Sequence, residues 1–388
     1  MKALLLIFAA VALSSTAAKA YPTMIRHGYT QCASCHTDPS GGTLLTQYGR
    51  AQSQLLLSSR WGAAEDAEPT AASKFLFGAL KTPDAVTLGG WLRQGYIWNT
   101  VDGKLVDNRE LQMRSSLAAE VRLGPVRAAA EVGYAAAHAA QQATITRNQD
   151  GANLVSREHW VGISFAEETA LVRAGRINVP YGLRNLEHTS FVRAATRTDI
   201  NEDQQGGIAL ALTKGDWRAE LMAMLGNYSV RPDAFRERGF AGYAELTLSP
   251  TVAIGINALA ARADAAPGSP SPTLRQAYGL TARAAPWTPL VVSAELDALI
   301  STTLGSGSLQ TGHAGWLQAD LEVVRGVHLV SAVEHLSSPA GGAAGLGLWG
   351  GAAWFVVPHL DIRADLIRRS SADSPTTNTF LIQLNGYL

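Results

Sequence analysis

From Val86 onward the sequence alternates with a period of two, and this constrains the fold more than any other feature of the chain. Leu111, Met113, Ser115, Leu117, Ala119 and Val121 interleave with Gln112, Arg114, Ser116, Ala118, Glu120 and Arg122. Leu317, Ala319, Leu321 and Val323 interleave with Trp316, Gln318, Asp320 and Glu322. Leu360, Ile362, Ala364 and Leu366 interleave with Asp361, Arg363, Asp365 and Ile367. Successive side chains of a strand point to opposite faces, so each segment has one apolar and one polar face. A soluble sandwich alternates in the same way, but two details favour a membrane barrel. The strands run to roughly ten residues, the length that a tilted membrane strand requires. The connections also alternate between short and long, as in outer-membrane barrels. Short turns are expected at Gly124–Pro125, Lys214–Asp216, Pro250–Thr251, Trp287–Thr288, Arg325–Gly326 and Pro358–His359. Longer loops are expected near 99–108, 138–155, 178–204, 229–236, 265–273, 303–311, 338–343 and 370–376.

The predicted fold class is therefore all-β: a 16-stranded antiparallel outer-membrane β-barrel, from near Val86 to near Leu388. An even strand number returns both ends of the barrel to one side, and sixteen strands leave an aqueous lumen. Trp91, Tyr96, Trp98, Trp160, Trp217, Tyr228, Trp287, Trp316, Trp349, Trp354, Phe355 and Tyr387 are expected in interfacial girdles, with core aromatics of a sandwich as the competing assignment. The polar face carries Arg114, Glu120, Arg122, Arg127, Glu131, Arg218, Glu220, Glu295, Asp297, Asp320, Glu322, Asp361, Arg363 and Asp365. Such charges line and solvate a pore wall, and a specific ion path is the sharper alternative. The 178–204 loop is the longest and holds Arg184, Glu187, His188, Arg193 and Arg197. It is either a polar outer loop or an inward constriction.

Lys2 followed by the apolar run Ala3–Leu13 and by Ala18–Lys19–Ala20 reads as an export signal over residues 1–20. No later run reaches the ~18 apolar residues of a membrane helix, so any span is built from strands. The 388 residues carry 32 basic and 32 acidic side chains. That balance lacks the basic excess of a nucleic-acid binder.

The only two cysteines sit in Cys32–Ala33–Ser34–Cys35–His36, the attachment pattern of a c-type haem. Two thiols three positions apart reach the two vinyl groups of one porphyrin edge, and His36 follows as proximal iron ligand. A structural zinc needs a second ligand pair, a thioredoxin-like pair needs a surrounding βαβ unit, and a plain disulfide leaves His36 a coincidence. For the distal position His27 is preferred and Met24 is the alternative; a solvated loop role for His27 and a ligand from the following domain remain open. Residues 43–57 read as a short amphipathic helix with Leu44, Leu45, Tyr48, Leu55 and Leu56 mostly on one side. The chain thus divides into a signal at 1–20, a small helical monohaem segment at 21–60, a linker at 61–84 and a barrel at 85–388.

The run Gly28–His36, followed by Pro39–Ser40–Gly41–Gly42, Tyr48–Gly49–Arg50 and a barrel, resembles the fused outer-membrane monohaem cytochrome–porins, whose best-known members are iron oxidases. The resemblance implies one covalent haem c on Cys32, Cys35 and His36, and a haem unit that plugs the pore. It also implies electron transfer between an extracellular redox partner or metal such as Fe(II) and a periplasmic carrier, a cytochrome or similar. The implied location is the outer membrane of a Gram-negative bacterium, in contact with lipid, the haem segment periplasmic or inside the lumen. Gly175–Leu183 resembles a segment of phosphate-selective porins, which keeps a solute channel with a haem-bearing plug as the alternative. A haem sensor or peroxidase using Arg26 and His27 is the third reading.

Overall fold

Residues 22–42, 44–135, 153–185, 187, 189–226, 237–265 and 271–388 are described in a computed structural model of the protein. The expected signal peptide, Tyr228 and His188 lie outside them, as do the whole 229–236 loop, most of the 138–155 loop and about half of the 265–273 loop. The described strands are β1 (Val86–Val101), β2 (Lys104–Leu123), β3 (Val126–Ala135), β4 (Asn153–Val155), β5 (His159–Phe165) and β6 (Ala170–Ile177). They continue with β7 (Gln205–Lys214), β8 (Trp217–Gly226), β9 (Arg238–Ser249), β10 (Val252–Ala263), β11 (Thr273–Trp287) and β12 (Leu290–Thr303). The last are β13 (Ser308–Val324), β14 (Val327–Ser337), β15 (Gly345–Val357), β16 (Leu360–Ser371) and β17 (Ser374–Tyr387). All belong to one antiparallel sheet of sequential neighbours. β4 and β5 both pair with β3 and form one interrupted stave, so the staves number sixteen. β1 pairs with β17, Trp91 opposite Tyr387, and this closes the barrel.

Closure leaves no unpaired edge, and the alternation then sorts side chains between lipid and lumen. Leu117, Ile163, Leu221, Ile256, Leu280, Leu296, Leu317, Leu329 and Leu366 are exposed on the outside. Their neighbours Ala118, Ser164, Glu220, Asn257, Thr281, Glu295, Trp316, Val330 and Asp365 are buried within. No described helix is long and apolar enough to cross a membrane.

Three expectations need correction. The loops placed near 99–108, 303–311 and 370–376 are tight turns, because the flanking strands extend to Val101, Lys104, Thr303, Ser308, Ser371 and Ser374. At the first of them Asp102 and Gly103 both take positive φ, the backbone of a two-residue hairpin that matches strand twist. Secondly, Trp160, Trp316, Trp349 and Phe355 are not girdle residues. They are buried on the inner face, where Trp316 and Trp349 meet edge to face with ring centroids 5.5 Å apart. Trp217, Trp287 and Trp354 are exposed, as a girdle requires. Thirdly, the amphipathic helix is shorter than 43–57. It comprises α1 (Gln47–Gln52) and one wide turn over Ser53–Leu57. Thr46 caps it, its hydroxyl accepting from Gly49 N at 3.0 Å, and Tyr48 faces outward rather than into the core.

The N-terminal segment lies inside the barrel at its short-turn end. Gln31 donates to the carbonyl of Gly215 in the β7–β8 turn at 2.6 Å, and Arg325 of the β13–β14 turn donates to the carbonyls of Gln54 and Leu55 at 2.7 and 2.9 Å. Ile25 is fully buried against Ala253, Ala285 and Val291 of three wall strands. From the other end the 178–204 loop folds inward, the sharper of the two expectations. Its helix α2 (Phe191–Thr196) sits in the lumen. Tyr181 donates to Asp297 at 2.7 Å, Leu183 N to Glu295 at 2.8 Å and Phe191 N to Glu334 at 2.7 Å.

Candidate functional site

The segment holding both cysteines is a compact reversal. Cys32 O accepts from Cys35 N at 3.0 Å and from His36 N at 2.9 Å, one tight turn that brings the two thiols and the imidazole together in the chain. Asp38–Gly42 then turns the chain back, with Gly41 and Gly42 at φ +88° and +93°, so that His36 bridges Leu45. α1 packs directly on this turn: a β-carbon on Gly49 would lie 2.2 Å from the Cys35 carbonyl oxygen.

The wall grips the turn through charge. Arg173, fully buried, donates to Asp38 at 3.1 Å and to Glu220 at 2.5 Å. Asn178 donates to Asp38 Oδ2 at 3.1 Å, and Arg184 to Ser40 Oγ at 3.2 Å, so the inward loop also holds the plug. Burial disfavours the Asp38 carboxylate, but Arg173 and Arg184 outweigh it and hold the group well below the usual carboxylate range. Arg283 donates to Thr30 O at 3.0 Å and Arg127 to Thr37 O at 3.2 Å. Arg218 approaches Cys32 Sγ at 2.9 Å. On the opposite side Arg26 pairs with Asp320 and, at 3.3 Å, with Glu322.

Plug, inward loop and wall enclose one large cavity. It has a volume of about 240 Å³ and is partly open to solvent. The plug contributes Met24, Cys32, Cys35, His36, Leu45 and Leu57; the loop contributes Arg184, Asn185 and Ile200; the wall contributes Trp91, Arg93, Arg114, Phe355, Arg363 and Tyr387. Cys32 and Cys35 are buried and not joined to each other. Burial lowers the His36 pKa to about 4 against the pull of Asp38, so the imidazole is neutral, and its buried Nδ1 has no hydrogen-bond partner.

Of the two distal candidates, the cavity includes Met24 and not His27. Met24 is buried and packs with Tyr29, Ala51, Leu55 and Leu56. His27 lines a separate, more open pocket with Glu65, Glu322, Pro289 and Arg325, and burial pushes its imidazole below the ordinary value. Both residues belong to one helical turn, Pro22–His27, so three positions of sequence separate two pockets. Arg93 was not singled out from the sequence, and Arg184 was named only as a member of the 178–204 loop. Arg93 meets Gln383, and Arg184 meets Ser40, across the barrel from positions far apart in the chain.

No protein-family model matches the chain, and no curated protein does. Solved structures do match. OmpT of Vibrio cholerae, an outer membrane protein folded in vitro, aligns with 11% identity over 80% of this chain and 100% of its own, with a TM-score of 0.60. The anion-selective porin from Comamonas acidovorans aligns with 13% identity over 78% and 99%, with a TM-score of 0.58. The outer membrane channel DcaP of Acinetobacter baumannii aligns with 10% identity over 78% and 97%, with a TM-score of 0.57. This chain therefore has the closed antiparallel β-barrel fold of outer-membrane porins.

Proposed function

We propose that the protein is an outer-membrane barrel of a Gram-negative bacterium that holds one covalent c-type haem in its lumen and moves electrons across the membrane. The observation that carries this reading is that Cys32, Cys35 and His36 line one cavity between plug, inward loop and wall. The residues fit the group: two buried, unbridged thiols and a neutral imidazole with an orphaned ring nitrogen share one cavity with apolar Met24, Leu45, Leu57 and Phe355. Among the described residues no three His, Cys, Asp or Glu side chains converge as a bare metal ion requires. Cys32 and Cys35 would carry the porphyrin through thioethers and His36 would ligate the iron. Met24 lines the cavity and would be the candidate for a second iron ligand, with His27 the candidate that lies outside it. When bound, haem supplies one-electron redox chemistry. The chain supplies position, through the Arg173–Asp38 and Arg283–Thr30 contacts, and a dry wall, through Met24, Leu45, Leu57 and Phe355. The partners of this reading are a periplasmic carrier at the short-turn end and an extracellular donor or acceptor, Fe(II) among them, at the other. The apolar band of such a barrel is ~25 Å tall, so a single haem serves only from within the lumen.

The fold comparisons favour the second reading, a solute channel whose haem-bearing plug gates or decorates it, since the matched proteins include an anion-selective porin and an outer membrane channel. One experiment separates the two. Protein in lipid vesicles that enclose an electron-accepting dye is given a membrane-impermeant reductant outside. The conduit predicts a haem band that survives denaturation, reduction of the enclosed dye, low ion conductance, and loss of dye reduction in the Cys32→Ala/Cys35→Ala variant. Open conductance that is the same in wild type and variant, with no dye reduction, overturns it in favour of the channel.

A further inference from the structure

Four arginines line the cavity, and only two of them have carboxylate partners. Arg114 is paired with Glu131 at 2.6 Å, and Arg363 with Glu187 at 2.5 Å and Asp365 at 2.8 Å. Arg93 donates only to the neutral Oε1 of Gln383, from Nε at 2.8 Å and also from Nη2. Arg184 reaches Val179 O at 2.6 Å, Ser40 Oγ at 3.2 Å and Thr198 O at 3.5 Å, and its buried Nε has no partner. Among the described residues neither has a carboxylate oxygen at ion-pair distance. The one acid on the cavity wall, Asp361, accepts from Asn385 Nδ2 at 2.7 Å.

The placement of Arg93 is costly. It sits directly opposite Arg114 across the β1–β2 ladder, and like charges in that position repel. A half-buried guanidinium with no carboxylate in direct contact is tolerated best when an anion arrives from elsewhere. The rest of the lining combines apolar Met24, Leu45, Leu57 and Phe355 with uncharged polar groups such as Gln52, Asn185 and Asn201. We infer that the cavity takes an amphiphilic anion with an apolar body and carboxylates at Arg93 and Arg184; on the reading proposed above, these are the two propionates of the haem. A guanidinium beside a propionate would disfavour the extra positive charge of ferric iron relative to ferrous iron, and so would raise the reduction potential.

The test uses full-length, haem-loaded protein. Arg93→Gln, Arg184→Gln and the double variant should keep covalent haem, lower the midpoint potential in spectroelectrochemical titration, and shift the propionate bending bands in resonance Raman spectra. Arg93→Lys, which keeps the charge, should retain the wild-type potential and fold in the same way. Full haem content with unchanged potential and unchanged propionate bands in the double variant overturns this inference alone. Wild-type protein without covalent haem overturns the proposed function, and this inference with it.

Discussion

At the scale of single residues, the plug is held by buried charge rather than by apolar area alone. Arg173, Asp38 and Glu220 are all fully buried, and one guanidinium serves both carboxylates. Removing it strands two fully buried acids, a loss of about 3–5 kcal/mol for a broken buried pair. Arg173→Met should therefore loosen the N-terminal segment while the barrel persists. Limited proteolysis should cut residues 22–60 at a lower temperature than in wild type, and an unchanged cleavage profile would refute the anchoring role. Gly49 makes a second case. The backbone of α1 approaches the Cys35 carbonyl so closely that a methyl group has no room. Gly49→Ala should cost about 1–3 kcal/mol through overpacking and, on the proposed haem attachment, lower the haem absorbance per chain. The Gly49 reading was legible in the sequence only as part of the run Tyr48–Gly49–Arg50. Its reason, contact with a turn fourteen residues upstream, belongs to the folded chain.

At the scale of elements, the lumen is closed from both ends by pieces that are not part of its wall. The plug enters at the short turns and the 178–204 loop enters from the opposite rim. They meet where Arg184 and Asn178 contact Ser40 and Asp38. Deleting residues 22–83 should leave a barrel with its inward loop and raise single-channel conductance several-fold over the intact protein in planar bilayers. Equal conductance would mean that the loop, not the plug, limits passage. The strand segments were legible because alternation is a local property, and β1 and β17 fall where it begins and ends. Turn lengths were less legible. Asp102–Gly103 was read within a loop because the flanking polar residues hid two strands that extend past the apolar band. The inward aromatics were misplaced for a related reason: a lumen filled by protein behaves as a core, so Trp316 and Trp349 pack inside where a water-filled pore would have had polar groups.

At the scale of the whole molecule, one sheet separates two solvents. Leu296 is exposed on the outer face between Glu295 and Asp297, which are buried within. Leu296→Arg should destabilise the folded barrel in bilayers by about 2–4 kcal/mol, the range for a lipid-facing cation near the midplane, measured by urea titration in lipid vesicles. The same substitution in a detergent-free soluble sandwich would have little effect, so a null result would count against the membrane span. Period-two alternation determined the sheet, its two faces and its sixteen staves, because side-chain direction in a strand depends only on neighbours in sequence. The Cys32–Cys35–His36 spacing is likewise a local pattern, and the haem it points to stays a proposal. Only the tertiary structure decided that the N-terminal segment enters the lumen, that Met24 rather than His27 borders the cavity, and that Arg93 and Arg184 have no carboxylate at ion-pair distance. Those outcomes depend on groups that meet across the barrel from positions more than a hundred residues apart, such as Arg173 with Asp38, and no local pattern encodes such meetings.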